Sequence, residues 1–295
     1  MSDKIKIQHY VPKFYLRNFL VKGKRPKLYC FDKTKFTESL TNITNVACEG
    51  YFYDGIGDVG QVNEKALSQL ETKFITPYRK VVEQQDFACL DAHEKWLLAA
   101  FIVTQEIRTK EHREELRDMI KQTILRIKEK FNTDRLPREF EQAQDDEYVK
   151  ALHLSTLSDV PEYAAIVTRG MKWLLLLNET DTPYWTSDHP VNRYNDINTG
   201  LGTLGLLSRG VEIHFPLSPR LSICFCDPEA SRGFPDKYSA CRWSTIRSVV
   251  NRSGKMSVDE RTDIEHERTG KVAGFEWCAG AAVIRHRSSR SPGSE

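Results

Sequence analysis

The period of the hydrophobic positions changes twice along this chain, and the changes predict its architecture. Residues 28–31 read LYCF between turn residues, which is typical of a strand, and we expect this strand to pair with the segment near Phe36. From about residue 62 to residue 178, apolar side chains recur at steps of three and four, the spacing of a helix. Strand-like runs return at 184–187, 211–215 and 221–226. This order predicts an α+β fold, with a mixed or antiparallel sheet from the N- and C-terminal segments and a helical block between them.

Start and stop signals divide the helical block. Asn63 is a good N-cap for a first helix, and Pro77 is expected to end or kink that helix. Asp91 is the predicted N-cap of a long second helical stretch. A third helix is predicted over 162–177, and the polar segment 135–146 is predicted to be a loop. The helices should therefore form a continuous insert between the two groups of strands.

Composition sets limits on the class of protein. With 40% hydrophobic and 28% charged residues, the chain can build a core, and we expect one α+β domain over 1–287 with its helical insert at about 62–178. Residues 288–295 lack an apolar anchor and are predicted to be a disordered tail. The longest uncharged apolar run, 96–104, is much shorter than the roughly 20 residues of a membrane helix. No membrane partner is therefore expected.

The cysteines indicate a reducing compartment. All seven occur without a CxxC pair, and an odd number is a poor disulfide framework. Cys224 and Cys226 alternate on a predicted strand, but four zinc ligands at the usual spacing are not recognisable. The N-terminal lysines are not followed by the apolar segment of a signal peptide. These features predict a cytoplasmic protein.

The net charge of +2 is small, but the charge is unevenly distributed. Residues 1–35 contain ten lysines or arginines against two aspartates. A basic edge of this kind attracts phosphates, which makes nucleic acid a candidate partner. The alternative is an ordinary solvated surface.

Two polar positions of the helical block fall where the pattern requires apolar residues. Glu71 lies on the same helix face as Leu67 and Phe74, and a carboxylate that faces a core needs an ion-pair partner or a ligand. Gln105 and Arg108 share a face of the second helix in the same way. A half-buried guanidinium is a fork of donors for a carboxylate or a phosphate. Arg108 is therefore either a substrate-binding group, together with Gln105, or the ion-pair partner of Glu71.

Three further residues are candidates for chemistry. His9 lies at the edge of a predicted strand and is suited to act as a general base, a metal ligand or a structural donor. Its neighbour Tyr10 either stacks on a substrate ring or fills the core. Asp188 follows a predicted strand, where an aspartate caps a turn or serves as a catalytic carboxylate.

Five blocks spread over residues 8–220 carry these candidates. They are QHYVPKFYLRNF (8–19), Glu64 and Glu71 in NEKALSQLE, Gln105 and Arg108 in QEIRT, TSDHPV (186–191) and PLSP (216–219). In this order they resemble the DUF4238 family, a widespread group of bacterial proteins without an agreed activity. Family members typically have Asn at the position of His189, so this departure makes His189 a weak catalytic candidate and favours Asp188.

The joint pattern leads to three hypotheses. In the first, the protein is a metal-assisted phosphodiesterase or nuclease, with His9, Glu71 and Asp188 as catalytic residues and candidate ligands of a divalent metal. Tyr10, Gln105 and Arg108 would then bind the substrate. The resemblance implies a setting among bacterial accessory, toxin or anti-phage defence genes. The second hypothesis is an ADP-ribosyltransferase-like toxin with NAD as its cofactor, and the third is a non-catalytic interaction protein with a buried ion-pair network.

Overall fold

In the computed structural model, the helices of the central block lie between two groups of strands along the chain. The structure describes residues 4–21, 23, 26–33, 35–55, 58, 60–132, 135–136, 138–179, 182–195, 197–198, 204–230, 245–247 and 282–285. The predicted tail at 288–295 lies outside these residues. In the described part of the chain, none of the helices combines the length and the apolar composition that crossing a bilayer requires.

Helices occupy most of the middle of the chain. In chain order, the α-helices among the described residues are α1 (Lys13–Leu16), α2 (Val62–Gln84), α3 (Ala92–Ile107), α4 (Lys110–Phe131), α5 (Arg138–Gln142), α6 (Asp146–Ser155) and α7 (Val160–Gly170). Short 3-10 turns at Arg17–Phe19, Ile43–Asn45, Phe87–Cys89 and Thr156–Asp159 connect several elements. The predicted helical block at about 62–178 is thus present up to residue 170.

Within the described ranges, the strands form three antiparallel sheets. They are β1 (Ile7–His9), β2 (Lys27–Asp32), β3 (Thr37–Asn42), β4 (Cys48–Gly50), β5 (Lys172–Leu177), β6 (Thr186–Ser187), β7 (Asn192–Tyr194), β8 (Glu212–Ser218), β9 (Leu221–Cys226), β10 (Thr245–Arg247) and β11 (Ala282–Arg285). Their orders are β1-β4, β10-β5-β9-β8-β7 and β3-β2-β11-β6. The last sheet joins N- and C-terminal segments, and β2 pairs with β3 as the pattern near Phe36 predicts. The α+β prediction is confirmed.

The apolar run at 173–177 is a strand, so the prediction of a helix to residue 177 is wrong. Helix α7 ends at Gly170, and β5 pairs antiparallel with β9, with Trp173 opposite Phe225 and Leu177 opposite Leu221. Leu175 packs into the main core, whereas Leu174 belongs to a smaller cluster on the other face. A strand covered on both faces is apolar at successive positions, and periodicity alone does not distinguish it from a buried helix.

Helix boundaries differ from the predictions in three other places. Pro77 lies inside α2, which continues to Gln84, because Tyr78 beyond the proline is buried against Phe101 with ring centroids 5.5 Å apart. The segment 135–146, predicted to be a loop, contains α5 and the first residue of α6. The N-terminal signal of α3 is confirmed, since Asp91 forms a capping box at its first turn. Asn63, by contrast, lies inside the first turn of α2.

The main core is centred on an aromatic cluster that joins α1, α2, α3 and β8. Phe101 of α3 contacts the rings of Phe14, Phe74, Tyr78 and Phe215 at centroid distances of 5.3 to 5.6 Å. Aromatic pairs at such distances add about 0.5 to 1.5 kcal/mol each beyond their buried area. The cluster fixes the face of α3 on which Gln105 and Arg108 follow one and two turns later.

Candidate functional site

The candidate site surrounds the junction between α3 and α4. Helix α3 ends at Ile107, and Thr109 caps α4 by accepting a hydrogen bond from the backbone N–H of His112. The end of β1 and the turn after β6 reach this junction from other parts of the chain. We call the polar residues of this region the junction cluster: His9, Tyr10, Glu71, Gln105, Arg108, Thr109, Asp188 and His189.

Arg108 ties three elements together. Its Nη1 donates to Glu71 Oε1 of α2 at 2.7 Å, its Nη2 donates to the His9 backbone carbonyl at 2.7 Å, and its Nε donates to Tyr53 Oη at 2.9 Å. Tyr53 Oη in turn donates to the carbonyl of Arg108 at 3.1 Å. Only 2% of the Arg108 side chain is exposed. The ion pair that helical spacing predicts is confirmed, and every guanidinium nitrogen already donates to a protein group.

Acidic residues surround the α2 side of Arg108. Glu71 is 26% exposed at its side chain, so water reaches this end of the ion pair. Burial raises the pKa of Glu64, and the nearby carboxylates of Glu71 and Asp54 act in the same direction, whereas Arg108 opposes them. A phosphate group is therefore repelled from this side of the junction cluster.

The His9 side of the cluster has the opposite character. The pKa of the His9 imidazole is lowered, first by burial, then by the positive charge of Lys13 and more weakly by Arg108. Hydrogen bonding to the backbone of Ile43 and Thr44 opposes this shift. The ring is thus neutral at pH 7. Among the residues that the structure describes, Nε2 of His9 has no hydrogen-bond partner, so it can accept a proton.

Tyr10 and Asp188 lie close enough to interact electrostatically. Tyr10 is buried, and its ring lies 5.1 Å from that of Phe52. The pKa of Tyr10 is raised by burial and, after that, by the negative charge of Asp188. Tyr10 therefore packs in the core, within range of the negative charge of Asp188.

The turn that holds Asp188 is fixed by its neighbours. The Ser187 hydroxyl accepts from the backbone N–H of His189 at 3.1 Å and donates to the His189 carbonyl at 2.6 Å. Nδ1 of His189 lies 2.7 Å from Thr109 Oγ1. Burial lowers the pKa of His189, and Glu115 and Glu106 oppose the shift. His189 therefore links the TSDHPV turn to the α3–α4 junction.

Gln105 is the most unusual member of the cluster. It is fully buried on the α3 face that also presents Phe101 and Arg108. Neither its amide nitrogen nor its amide oxygen has a hydrogen-bond partner within the described ranges. A buried unpaired amide costs about 1 to 3 kcal/mol, and most buried polar groups in folded proteins are paired. Gln105 is therefore suited to bind a ligand that offers both a donor and an acceptor.

A pair of matched substitutions tests this interpretation. Gln105→Met should raise the free energy of unfolding by about 1 to 2 kcal/mol, because it removes an unpaired amide and keeps the side-chain volume. Gln8 is the control: it is equally buried, but it donates to Asp54 Oδ1 and accepts from the Tyr53 backbone N–H, both at 2.6 Å. Gln8→Met should therefore lower stability. Urea unfolding measures both, and equal destabilisation by the two substitutions would make Gln105 a structural residue.

The five sequence blocks contact one another in the folded chain. Arg108 of QEIRT bonds to Glu71 and to the carbonyl of His9, and Thr109 contacts His189. Tyr15 Oη lies 2.5 Å from Thr186 Oγ1, and Asn18 Nδ2 donates to the Leu217 carbonyl of PLSP at 3.0 Å. A family model described as "Protein of unknown function (DUF4238)" matches residues 7–260.

The chain belongs to the DUF4238 family. No similar protein was found among the curated proteins or the solved structures. The blocks that carry the DUF4238 resemblance are thus the segments that build the junction cluster and connect it to the core. Two roles are combined in them: Arg108 and Tyr15 hold the fold together, whereas His9 and Gln105 present polar atoms without a hydrogen-bond partner in the described part of the chain.

Two histidines of this DUF4238 protein were not among the predicted site residues. His153 of α6 is fully buried, its Nε2 donates to the Ile107 carbonyl at 2.8 Å, and its Nδ1 accepts from Arg113 Nε at 3.3 Å. The ring of His112 lies 6.0 Å from that of His153. The buried residue Val149 lies four positions before His153, a helical spacing that was available as a signal.

The candidate metal ligands are not brought together. Among the described residues, the three side chains whose ligand atoms lie within 4.8 Å of one another are Glu212, His214 and Cys224, which lie on β8 and β9. His9, Glu71 and Asp188 do not form such a group in this DUF4238 protein. The carboxylate of Glu71 is instead bound to Arg108.

Proposed function

We propose that the junction cluster is the active site of an enzyme that acts on a phosphate-containing substrate, with nucleic acid as the preferred class. The observation that supports this most is the state of His9, a neutral imidazole beside two cations. Among the residues that the structure describes, its Nε2 has no hydrogen-bond partner. A neutral imidazole accepts a proton, and neighbouring positive charge attracts an anion. These are the two requirements of general-base attack on a phosphodiester.

In the proposed reaction, His9 takes the proton of the attacking hydroxyl, which comes from water or from a ribose. The hydroxyl oxygen forms a bond to phosphorus while the bond from phosphorus to the leaving oxygen breaks. The leaving oxygen then takes a proton from solvent. Lys13, which is exposed in the first turn of α1, neutralises the charge on the phosphate. Nε2 of His9 is covered, so substrate reaches it only after a local opening.

Other residues of the cluster receive revised roles in this proposal. Arg108 is a positioning residue, since it holds the backbone of His9 and is itself fully engaged. Glu71 is its counter-ion, and Gln105 binds the substrate through its amide. Asp188 and Tyr10 remain at the edge of the site as a carboxylate and a buried phenol. A bound metal ion is not assigned to these residues.

The test is a cleavage assay of His9→Gln against labelled single-stranded RNA, single-stranded DNA and both duplexes. Loss of a general base lowers a rate by about 10²- to 10⁴-fold, and we expect that decrease here. His93→Gln, at an exposed histidine of α3, is the matched control and should cleave as the natural protein does. Reactions run with EDTA, with Mg²⁺ and with Mn²⁺ report whether an ion assists.

Two results would contradict the proposal. If none of the four nucleic acids is cleaved in any metal condition, nucleic acid is removed as the substrate. If His9→Gln cleaves as fast as His93→Gln, His9 is not the base. Circular dichroism and melting temperature of each variant separate loss of chemistry from loss of fold.

A second candidate function is a non-catalytic interaction protein, and it is favoured by the fact that each guanidinium nitrogen of Arg108 already donates to a protein group. Under this alternative, His9→Gln changes only stability. Nothing observed at the site favours ADP-ribosyl transfer with NAD, and that hypothesis stays a prediction. A cytoplasmic toxin or anti-phage role is part of the enzymatic proposal and is tested by phage protection in cells that express the natural chain or His9→Gln.

A further inference from the structure

A second polar group lies on the opposite face of the five-stranded sheet from the aromatic core. On β8, Ile213 and Phe215 point into the main core, so Glu212 and His214 point to the other face. Cys224 of β9 is directly opposite His214 in the antiparallel register and therefore shares that face. The strand register alone thus brings together a carboxylate, an imidazole and a thiol.

Distances within this group are short. His214 Nε2 lies 3.0 Å from Glu212 Oε2 and 3.8 Å from Cys224 Sγ. All three potential ligand atoms lie within 4.8 Å of one another. A tetrahedral zinc ion with bonds of about 2.0 Å to nitrogen and oxygen and about 2.3 Å to sulfur places these atoms about 3.3 and 3.5 Å apart. The observed nitrogen–oxygen distance of 3.0 Å is slightly shorter than the first value, and the observed nitrogen–sulfur distance of 3.8 Å is slightly longer than the second.

One ring nitrogen faces two groups with opposite requirements. If Nε2 of His214 carries a proton, it can donate to Glu212 but offers no lone pair to the Cys224 thiol. If Nε2 is unprotonated, it can accept from the thiol but turns a lone pair toward the carboxylate. A cation placed between the three atoms interacts favourably with the nitrogen lone pair, the carboxylate and a thiolate at once.

Burial strengthens the case for a cation. Glu212 is 1% exposed, so its carboxylate lies in the protein interior beside the imidazole of His214. Cys224 is completely buried, and His214 is 14% exposed at its side chain. Leu174, Leu176 and Tyr184 pack around the group and form an apolar surround. An apolar surround lowers the local dielectric and strengthens metal–ligand attraction.

We propose that Glu212, His214 and Cys224 form a binding site for a thiophilic divalent metal ion, with Zn²⁺ as the ion that fits best. The sulfur ligand disfavours Mg²⁺ and Ca²⁺, which prefer oxygen, and zinc is commonly bound by mixed nitrogen, oxygen and sulfur donors. Cys226 lies directly opposite Glu212 in the register of β8 and β9, on the same sheet face as Cys224. Three protein ligands leave a fourth corner of the tetrahedron for water or another donor.

Titration of the purified full-length chain tests the proposal. We expect one Zn²⁺ per chain by competition with a chromophoric chelator. Co²⁺ in its place should give the intense near-ultraviolet band of a thiolate–cobalt bond. Cys224→Ser and His214→Gln should each weaken binding by more than the roughly 10- to 100-fold that follows loss of an outer hydrogen-bond partner. Cys89→Ser, at a partly buried cysteine outside the group, is the matched control and should bind as the natural chain does.

The natural chain decides the outcome even if a variant fails to fold. Binding of much less than one Zn²⁺, or a Co²⁺ spectrum without a thiolate band, overturns the proposal. Folded Cys224→Ser and His214→Gln proteins that bind Zn²⁺ like the natural chain would overturn it as well. The result is independent of the cleavage assay, because the His9→Gln variant should retain full zinc binding.

Discussion

Replacing Arg108 with Met is expected to lower the free energy of unfolding by about 3 to 5 kcal/mol, the cost of removing one partner from a buried ion pair. The substitution keeps an unbranched side chain of similar length but removes three donors. It leaves the His9 carbonyl and the Tyr53 hydroxyl without the groups that now donate to them. Methionine also fills part of the volume, so the loss reflects polar groups more than a cavity.

Substitution of the other partner of the ion pair, Glu71, should lower the free energy of unfolding by less. Glu71→Gln keeps an oxygen that accepts from Arg108, and the exposed quarter of the Glu71 side chain lets water compensate the guanidinium in part. In a double-mutant cycle the two substitutions should couple by about 0.5 to 3 kcal/mol. Clean additivity would show that the contact contributes nothing to stability.

The control for the Arg108 experiment is Arg117→Met on α4. Arg117 pairs with Glu114 and with Asp146, whose side chain is 87% exposed. Ion pairs in contact with solvent contribute about 0 to 1 kcal/mol. A loss at Arg117 as large as that at Arg108 would mean that the substitution acts through helix propensity or packing.

Acid should destabilise the protein through His153. Burial lowers the pKa of His153 to about 3, and the positive charge of Arg113 and the nearby His112 act in the same direction. In the unfolded chain the group titrates near 6.5. Between these values the unfolded state binds one proton more than the native state, so stability falls as the pH is lowered from about 6.5 to about 3. At about 1.4 kcal/mol per pH unit, the loss over the whole window approaches about 5 kcal/mol.

His153→Gln tests this prediction, because a glutamine amide can donate to the Ile107 carbonyl and accept from Arg113 without binding a proton. Stability measured by urea unfolding should depend less on pH in the variant than in the natural chain over that window. His93→Gln, at an exposed position, should keep the natural dependence. A remaining slope is expected, since the pKa values of His9 and His189 are lowered as well. Parallel curves for the natural chain and His153→Gln would refute the assignment.

Helical periodicity was sufficient to predict part of the candidate site. The steps of three and four that place Glu71 beside Phe74, and Arg108 beside Phe101, turn both charged groups toward the interior whatever the tertiary structure is. Their contact followed because each buried charge needs a partner. The hydrogen bond from Arg108 to the His9 carbonyl was not predictable, because every residue has a backbone acceptor and the sequence does not mark which one is used.

The polar group on β8 and β9 was not predicted from the sequence, because it forms only through the register of the two strands. Glu212 and His214 are two residues apart, but Cys224 joins them only through the pairing of β8 with β9. Spacing rules for metal sites detect ligands that are neighbours along the chain, so a group assembled across strands escapes them. The run at 173–177 was misassigned for a related reason, because burial on both faces of β5 removes the alternation that marks a strand.

The hydrogen bond from Arg108 to position 9 ends on the main chain, and this has a consequence for how the protein can change. Any amino acid at position 9 presents the same carbonyl oxygen, so the tether does not depend on which side chain is there. The backbone of position 9 therefore holds the strand in place, whereas its side chain determines the chemistry, and the two can change independently. A lineage could exchange the imidazole for another functional group, or discard it, while the strand remains fastened to the helices.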